Sequence, residues 1–416
     1  VAIARLLLGR GADPNKEMGN AARRGYDDLI KAMLENNGAA DSGMQGAIEG
    51  DKPNTVTLLV NSGADPNPAM AYAVDKSYGT LLELLISKGG DATVSAYVAT
   101  AAERGDVAIL NILLDKGSAS ADPGMLPAVT NQGAGVVDIL LKHGASGSSP
   151  VLIQKSVERG EVTTAGLLLN SGADASPADL IRVAVSQKNA SMTGLLLEKG
   201  ADANNGAMEA IKQNSTEILS LLKSKGAELG RAGYLAASAL HNNTTLSGML
   251  LDAGCAPQEG VVPAASSNAS KVLNLLLAKG ADLKDVKLIV TAVTNGYDQI
   301  AAVLVKGGCD PTGFVDPGSG GNLLHVATAQ ENFPMVQVLI GAKVDVNMKA
   351  SGSGDTPLHV AARGGKDNLD CVMALVGAGS DVNATNSRGK SVIQEAKGPK
   401  IRKYLKSEGG ERRPDK

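Results

Sequence analysis

Short apolar clusters punctuate the chain at a fixed interval. Two or three aliphatic residues, two further residues, a glycine, a small residue and often Asp recur in that order. The string reads LLLGRGADP from Leu6, LLVNSGADP from Leu58, LLNSGADAS from Leu168, LLEKGADAN from Leu196 and LLAKGADLK from Leu276. The glycines fall at 11, 38, 63, 89, 117, 144, 172, 200, 226, 254, 280 and 308, spaced 25 to 28 residues apart. Wider-spaced units follow at Lys343 and Gly379, with a degenerate one at Gly409. A second marker keeps phase with the first. A small residue stands at 21, 47, 73, 101, 128, 156, 184, 210, 239, 264, 292, 327, 361 and 396, Ala at all but Ser156. Four residues on comes a turn residue such as Gly25, Gly105, Gly160, Gly296, Gly365, Asn214 or Asn243, types that tolerate the left-handed backbone ending a helix.

Each unit is therefore expected to be helix, tight turn, helix, loop. In the unit from Ser176, Ser176 is the expected cap, Pro177 suits the first helical position, and Asn189 marks the turn. The recurring Ala fits a crowded seam between neighbouring helices, where a larger side chain would force the stack apart. One such hairpin cannot bury enough surface to stand alone, so the units must share a core along a file. The expected fold is all-α, a helical-hairpin solenoid of about fourteen repeats.

Composition agrees. The 416 residues include 50 Gly but only two Phe, seven Tyr and no Trp, which suits thin stacked layers better than a large single core. No apolar run nears the roughly 18–20 residues of a membrane span. A net charge of −3 gives no general attraction to nucleic acid. Cys255, Cys309 and Cys371 are odd in number and far apart, so neither a disulfide framework nor a CxxC metal site is expected.

Near the C-terminus the units acquire a signature. Asp355-Thr356-Pro357-Leu358-His359-Val360-Ala361-Ala362-Arg363-Gly364-Gly365 resembles the ankyrin repeat, with a weaker copy at Asn322–Ala327 and a decayed one at Ser391–Gln394. Ankyrin repeats typically have 33 residues. The shorter units lack room for the protruding finger loop. The resemblance divides the chain into short, finger-less repeats over 1–312, two longer repeats over 313–390, and a degenerate cap with a basic tail over 391–416. It implies that His325 and His359 are structural, bonding backbone around their turns.

Enzymatic signals are weak. Gly389-Lys390-Ser391 lacks the earlier glycine of a phosphate-binding loop, since position 384 is Ala. No catalytic residue, metal site, cofactor or small-molecule substrate is expected, and the chain reads as a non-enzyme. The resemblance implies binding of protein partners on the concave face, through the two residues before each turn. Arg23, Arg24, Asp75, Lys76, Glu103, Arg104, Glu158, Arg159, Gln187, Lys212 and His241 are the candidates there. Phe314, Lys349 and Asp355 are candidates on the finger loops. From Lys390 to Lys416 nine Lys/Arg face four Asp/Glu, either a patch for an acidic partner or a solvated cap. The expectation is a monomeric interaction scaffold. The binding arm of a larger enzyme or signalling protein, and a secreted effector on the same scaffold, stay open. The chain starts at Val1 inside a repeat and reads as a piece of a longer protein, so a cytoplasmic or nuclear location is expected without excluding secretion.

Overall fold

The computed structural model describes residues 2–365 and 368–411. It is built of short helices, and among the described residues no strand forms; an isolated bridge joins Thr385 and Ser391. Two compact units divide between Asn205 and Gly206. Within each, helices pair as first and second members of a repeat. In the first unit, Asp41–Glu49 pairs with Pro53–Asn61, Asn67–Asp75 with Gly79–Ser87, Pro150–Glu158 with Val162–Asn170, and Ala178–Ser186 with Ala190–Glu198. First helices pack on first helices of the next repeat and second helices on second helices. The second unit repeats this arrangement, for example with Val286–Thr294 on Asp298–Lys306, and ends with Val392–Glu395 and Pro399–Ser407.

The Ala marker forms the seam expected of it. Its fourteen positions, Ser156 included, are all 4% exposed or less. Ser156 meets the demand of burial by donating its hydroxyl to the Ile153 carbonyl at 2.8 Å.

The turn markers need partial correction. Gly25, Gly105, Gly160, Gly296 and Asn214 do have positive φ, but Asn243 and Gly365 do not. Asn242 takes the left-handed conformation, and Asn243 instead caps the second helix, its Oδ1 accepting from the Leu246 N–H at 3.0 Å. The same two-residue device recurs at Lys188-Asn189 and Glu331-Asn332. At the other marker, Asn37 and Ser118 have positive φ in place of Gly38 and Gly117. Those two glycines are needed for room: a Cβ on Gly38 would press on Met18 and the Met33 carbonyl, and one on Gly117 on Ala92 and the Leu113 carbonyl.

Ser176 caps no helix. Its N–H and hydroxyl both donate to Asp174 at 2.8 Å, closing a local turn. That turn, from the Asp of GAD to the residue two later, recurs at Asp13, Asp65, Asp91, Asp202, Asp310, Asp345 and Asp381. At four places in the first unit a further side chain ties one loop to the next. Asn15, Asp41, Asn67 and Asp122 accept from the N–H of Ala39, Asp65, Asp91 and Ser146 at 2.7–2.8 Å. Helix pairs are thus linked by polar rungs as well as by a shared apolar interior.

The finger loops close as tight turns. Asp316 N–H donates to the Gly321 carbonyl at 2.7 Å, Ala350 N–H to Asp355 at 2.9 Å and Asn386 N–H to Lys390 at 3.1 Å. Successive fingers touch through Ser387 N–H on the Ser353 carbonyl at 2.9 Å.

Candidate functional site

The residues before each turn crown the first helices, and several of them are engaged between repeats. Arg23 pairs with Glu49 of the next repeat. Lys76 lies 4.0 Å from Asp51, and Arg104 3.7 Å from Asp75. The Gln187 side chain donates to the Glu158 carbonyl at 2.8 Å, as Gln132 does to Glu103 at 2.6 Å. Glu158 also accepts from Lys155 at 2.8 Å, and Arg159 pairs with Glu161 at 2.7 Å. Hydrogen bonds from Lys155 and Gln154 hold the Glu158 carboxyl below its ordinary range. Arg24, Glu103, Lys212 and His241 are exposed and make no side-chain hydrogen bond or ion pair among the described residues. Sequence reading found this row but missed its mortar role, visible only once residues 25 to 29 positions apart are in contact. Exposed pairs of this kind contribute about 0–1 kcal/mol each, so an arriving partner can exchange them at little cost.

One hollow interrupts this face. Between Pro150–Glu158 and Ala178–Ser186, a cavity of about 190 Å³ is lined by Ile153, Val157, Leu180 and Val183, with Pro150 and Pro177 beside them. Glu158, Asp174 and Asp179 stand at its rim. Glu158 is the candidate that the structure places at this hollow; the apolar floor had no signal in the sequence beyond ordinary helix periodicity.

The finger candidates fare unevenly. Phe314 is half-buried. Lys349 is exposed, but its Nζ donates to the Thr385 carbonyl of the next finger at 2.9 Å. Asp355 is not a loop-surface contact: it is 4% exposed, ion-paired with Arg363 and bonded by Asn386 Nδ2 at 2.9 Å. Burial works to raise its carboxyl, yet Arg363 and Asn386 outweigh that and leave it below the ordinary range.

His325 and His359 are buried at the starts of Leu323–Ala329 and Pro357–Arg363. The Thr356 N–H donates to His359 Nδ1 at 3.2 Å, and Nε2–H reaches the Lys390 carbonyl at 3.3 Å. His325 Nε2 lies 3.0 Å from the Asp355 carbonyl, one finger further along the chain. Each ring thus staples its own helix start to the next finger. Burial lowers both imidazoles below their ordinary value. The unfolded chain therefore takes up protons first as pH falls. Stability is at full strength above about pH 6.5 and declines below it, down to the folded values. Hydrogen exchange should show protection of the Leu323–Ala329 and Pro357–Arg363 amides falling between pH 7 and 5, after correction for intrinsic rates, with a shallower slope in His359→Gln.

Cys255, Cys309 and Cys371 are buried and free; burial raises all three thiols, Cys371 to about 11. No group of three metal-ligating side chains occurs among the described residues, and none of their helices is long and apolar enough to cross a membrane.

Residues 288–386 match the family profile described as ankyrin repeats in three copies. Over 101 residues the chain is 31% identical to ankyrin repeat and SOCS box protein 6 of Mus musculus, covering 24% of each protein. It is 37% identical over 103 residues to human Rabankyrin-5, covering 21% of this chain and 9% of that protein. It is 31% identical over 98 residues to the Arabidopsis thaliana E3 ubiquitin-protein ligase KEG, covering 24% of this chain and 6% of the ligase. The alignment thus spans about a quarter, or less, of these relatives' length. Among solved structures, the human ASB11 ankyrin repeat domain is similar at 23% identity and a TM-score of 0.39, over 50% of this chain and 98% of that one. With the Ala seam, the T-P-L-H staple and the profile match in hand, residues 288–386 of the chain are ankyrin repeats.

Proposed function

We propose that the chain is a non-catalytic scaffold that binds partner proteins along the face formed by its first helices. Ankyrin repeats mediate protein–protein interaction, and the feature of this chain that supports the reading is the hollow between Pro150–Glu158 and Ala178–Ser186. An apolar floor ringed by exchangeable polar pairs suits a partner's large side chain, which would supply most of the affinity from a small area. Glu103, Arg104, Glu158, Arg159 and Gln187 form the surrounding rim of contacts in this proposal, Lys212 and His241 are separate candidates on first helices of the second unit, and the chain acts as a monomer. The preset geometry of stacked repeats keeps the ordering cost of binding low.

A photo-crosslinking amino acid placed singly at Glu103, Gln154 or Gln187 tests this against placement at Thr57 or Thr163 on second helices. Partner crosslinks should form from the first set and be lost when Val183→Glu fills the hollow with charge. Crosslinks only from the second set would refute the assignment.

A further inference from the structure

The closing helix, Pro399–Ser407, carries Lys400, Arg402, Lys403 and Lys406 and no acidic residue. Lys397 precedes it. Among the described residues, none of these five cations joins an ion pair, whereas arginines elsewhere, such as Arg23, Arg104, Arg159 and Arg363, do. A cap needs a polar outer face, but polarity does not demand one sign of charge. Lys400 sits in the first turn, where the helix dipole disfavours a cation. Its position is a cost to the helix that solvation alone does not explain.

The cations also border a groove. Arg402, Lys403 and Lys406 line it, with Ile393 and Pro399 as its apolar wall. Arg402 is held in place: its Nε–H donates to the Ala396 carbonyl at 2.7 Å. That bond uses one donor and leaves the two terminal nitrogens of the guanidinium fork, a geometry matched to carboxylate.

We infer that this groove is a second docking surface, for an acidic segment of a partner protein, independent of the first-helix face. From Lys400 to Lys406 the helix rises about 9 Å, the span of about three residues of extended chain. A short run of Asp/Glu therefore fits. No large apolar side chain is exposed between residues 392 and 411 to enter a bilayer, and Tyr404 is half-buried, leaving no aromatic platform for bases. Arg412, Arg413 and Lys416 of the basic tail lie outside the described residues.

The test is fluorescence anisotropy of a labelled peptide bearing six consecutive glutamates. Binding should weaken steeply with salt. It should drop about tenfold or more in Lys403→Glu/Lys406→Glu, whose side chains are exposed and unbonded, so circular dichroism should be unchanged. Arg402→Lys should lose several-fold by giving up the fork while keeping the charge. Absence of binding, equal affinity in the double variant, or stronger binding to phosphatidylserine vesicles or a twelve-residue thymidine oligonucleotide would overturn the proposal. None of these outcomes bears on crosslinking from the first-helix face.

Discussion

Gly46→Ala is expected to destabilise the first unit by about 2 kcal/mol, although helix propensity alone predicts a gain of about 1 kcal/mol. Gly46 lies inside Asp41–Glu49, and a Cβ there would land on the Gly19 carbonyl of the preceding first helix. One turn later, a Cβ on Gly50 would land on the Arg23 carbonyl. Both obstacles are backbone, which cannot swing aside as a side chain could. The two helices would have to separate, and overpacking of this sort costs about 1–3 kcal/mol. Gly248→Ala is the matched control. Gly248 lies within Thr244–Asp252 with nothing within 4 Å of its would-be Cβ, so there the propensity gain should appear. Hydrogen exchange of the Met18–Arg24 and Asp41–Glu49 amides, and of Thr244–Asp252, reads each effect locally; a local readout is needed because repeat arrays need not unfold in one step. Equal stabilisation in both variants would show that the first helices do not meet at Gly46.

Arg363→Ala should cost the last repeats about 3 kcal/mol. Arg363 faces one buried and one partly buried carboxylate: it is ion-paired with Asp355, and its Nε lies 3.3 Å from Glu395. The buried Nε and Nη2 are matched by charge rather than by well-angled hydrogen bonds. Arg388 reaches Glu395 at 2.9 Å but is itself mostly exposed. Removing Arg363 leaves Asp355 and Glu395 close to each other's surroundings with too little positive charge, and breaking such a group from one side is far costlier than its net worth. The deficit should shrink as pH falls from 7 to 4. In the intact protein Asp355 is held below its ordinary value, so its stabilisation persists above about pH 3.9 and fades as pH drops through the folded value. Without Arg363 the Asp355 carboxyl loses its partner and takes up its proton at a higher pH, which relieves the uncompensated charge. Asp355→Asn placed in the Arg363→Ala background should recover part of the loss at pH 7. A pH-independent deficit in urea unfolding would show that packing, not charge, is what Arg363 supplies.

The two predictions mark where sequence reading reaches its limit. The Ala positions were legible because a small residue at constant phase has one economical explanation, and burial at all fourteen positions agrees. Gly46 carries the same kind of constraint but occurs at no repeated position, so nothing set it apart from 49 other glycines. Asn243 was misassigned because Asn serves equally as a left-handed residue and as a helix cap, and only φ tells Asn242 from Asn243. Asp355 was read as a finger contact because its neighbours are Ser and Gly. Its burial depends on Arg363, Asn386 and Glu395, which arrive from the following turns.

Periodicity determined the helical hairpin, its repetition and the crowded Ala seam, and the T-P-L-H resemblance implied the histidine staples, because each is a local rule applied more than once. The structure decided what no local rule encodes: which exposed charges are spent on neighbouring repeats, where an apolar hollow opens on the first-helix face, and which cations of Pro399–Ser407 join no ion pair among the described residues. Those depend on distances between residues 24 to 36 positions apart, set by how one repeat rests on the next.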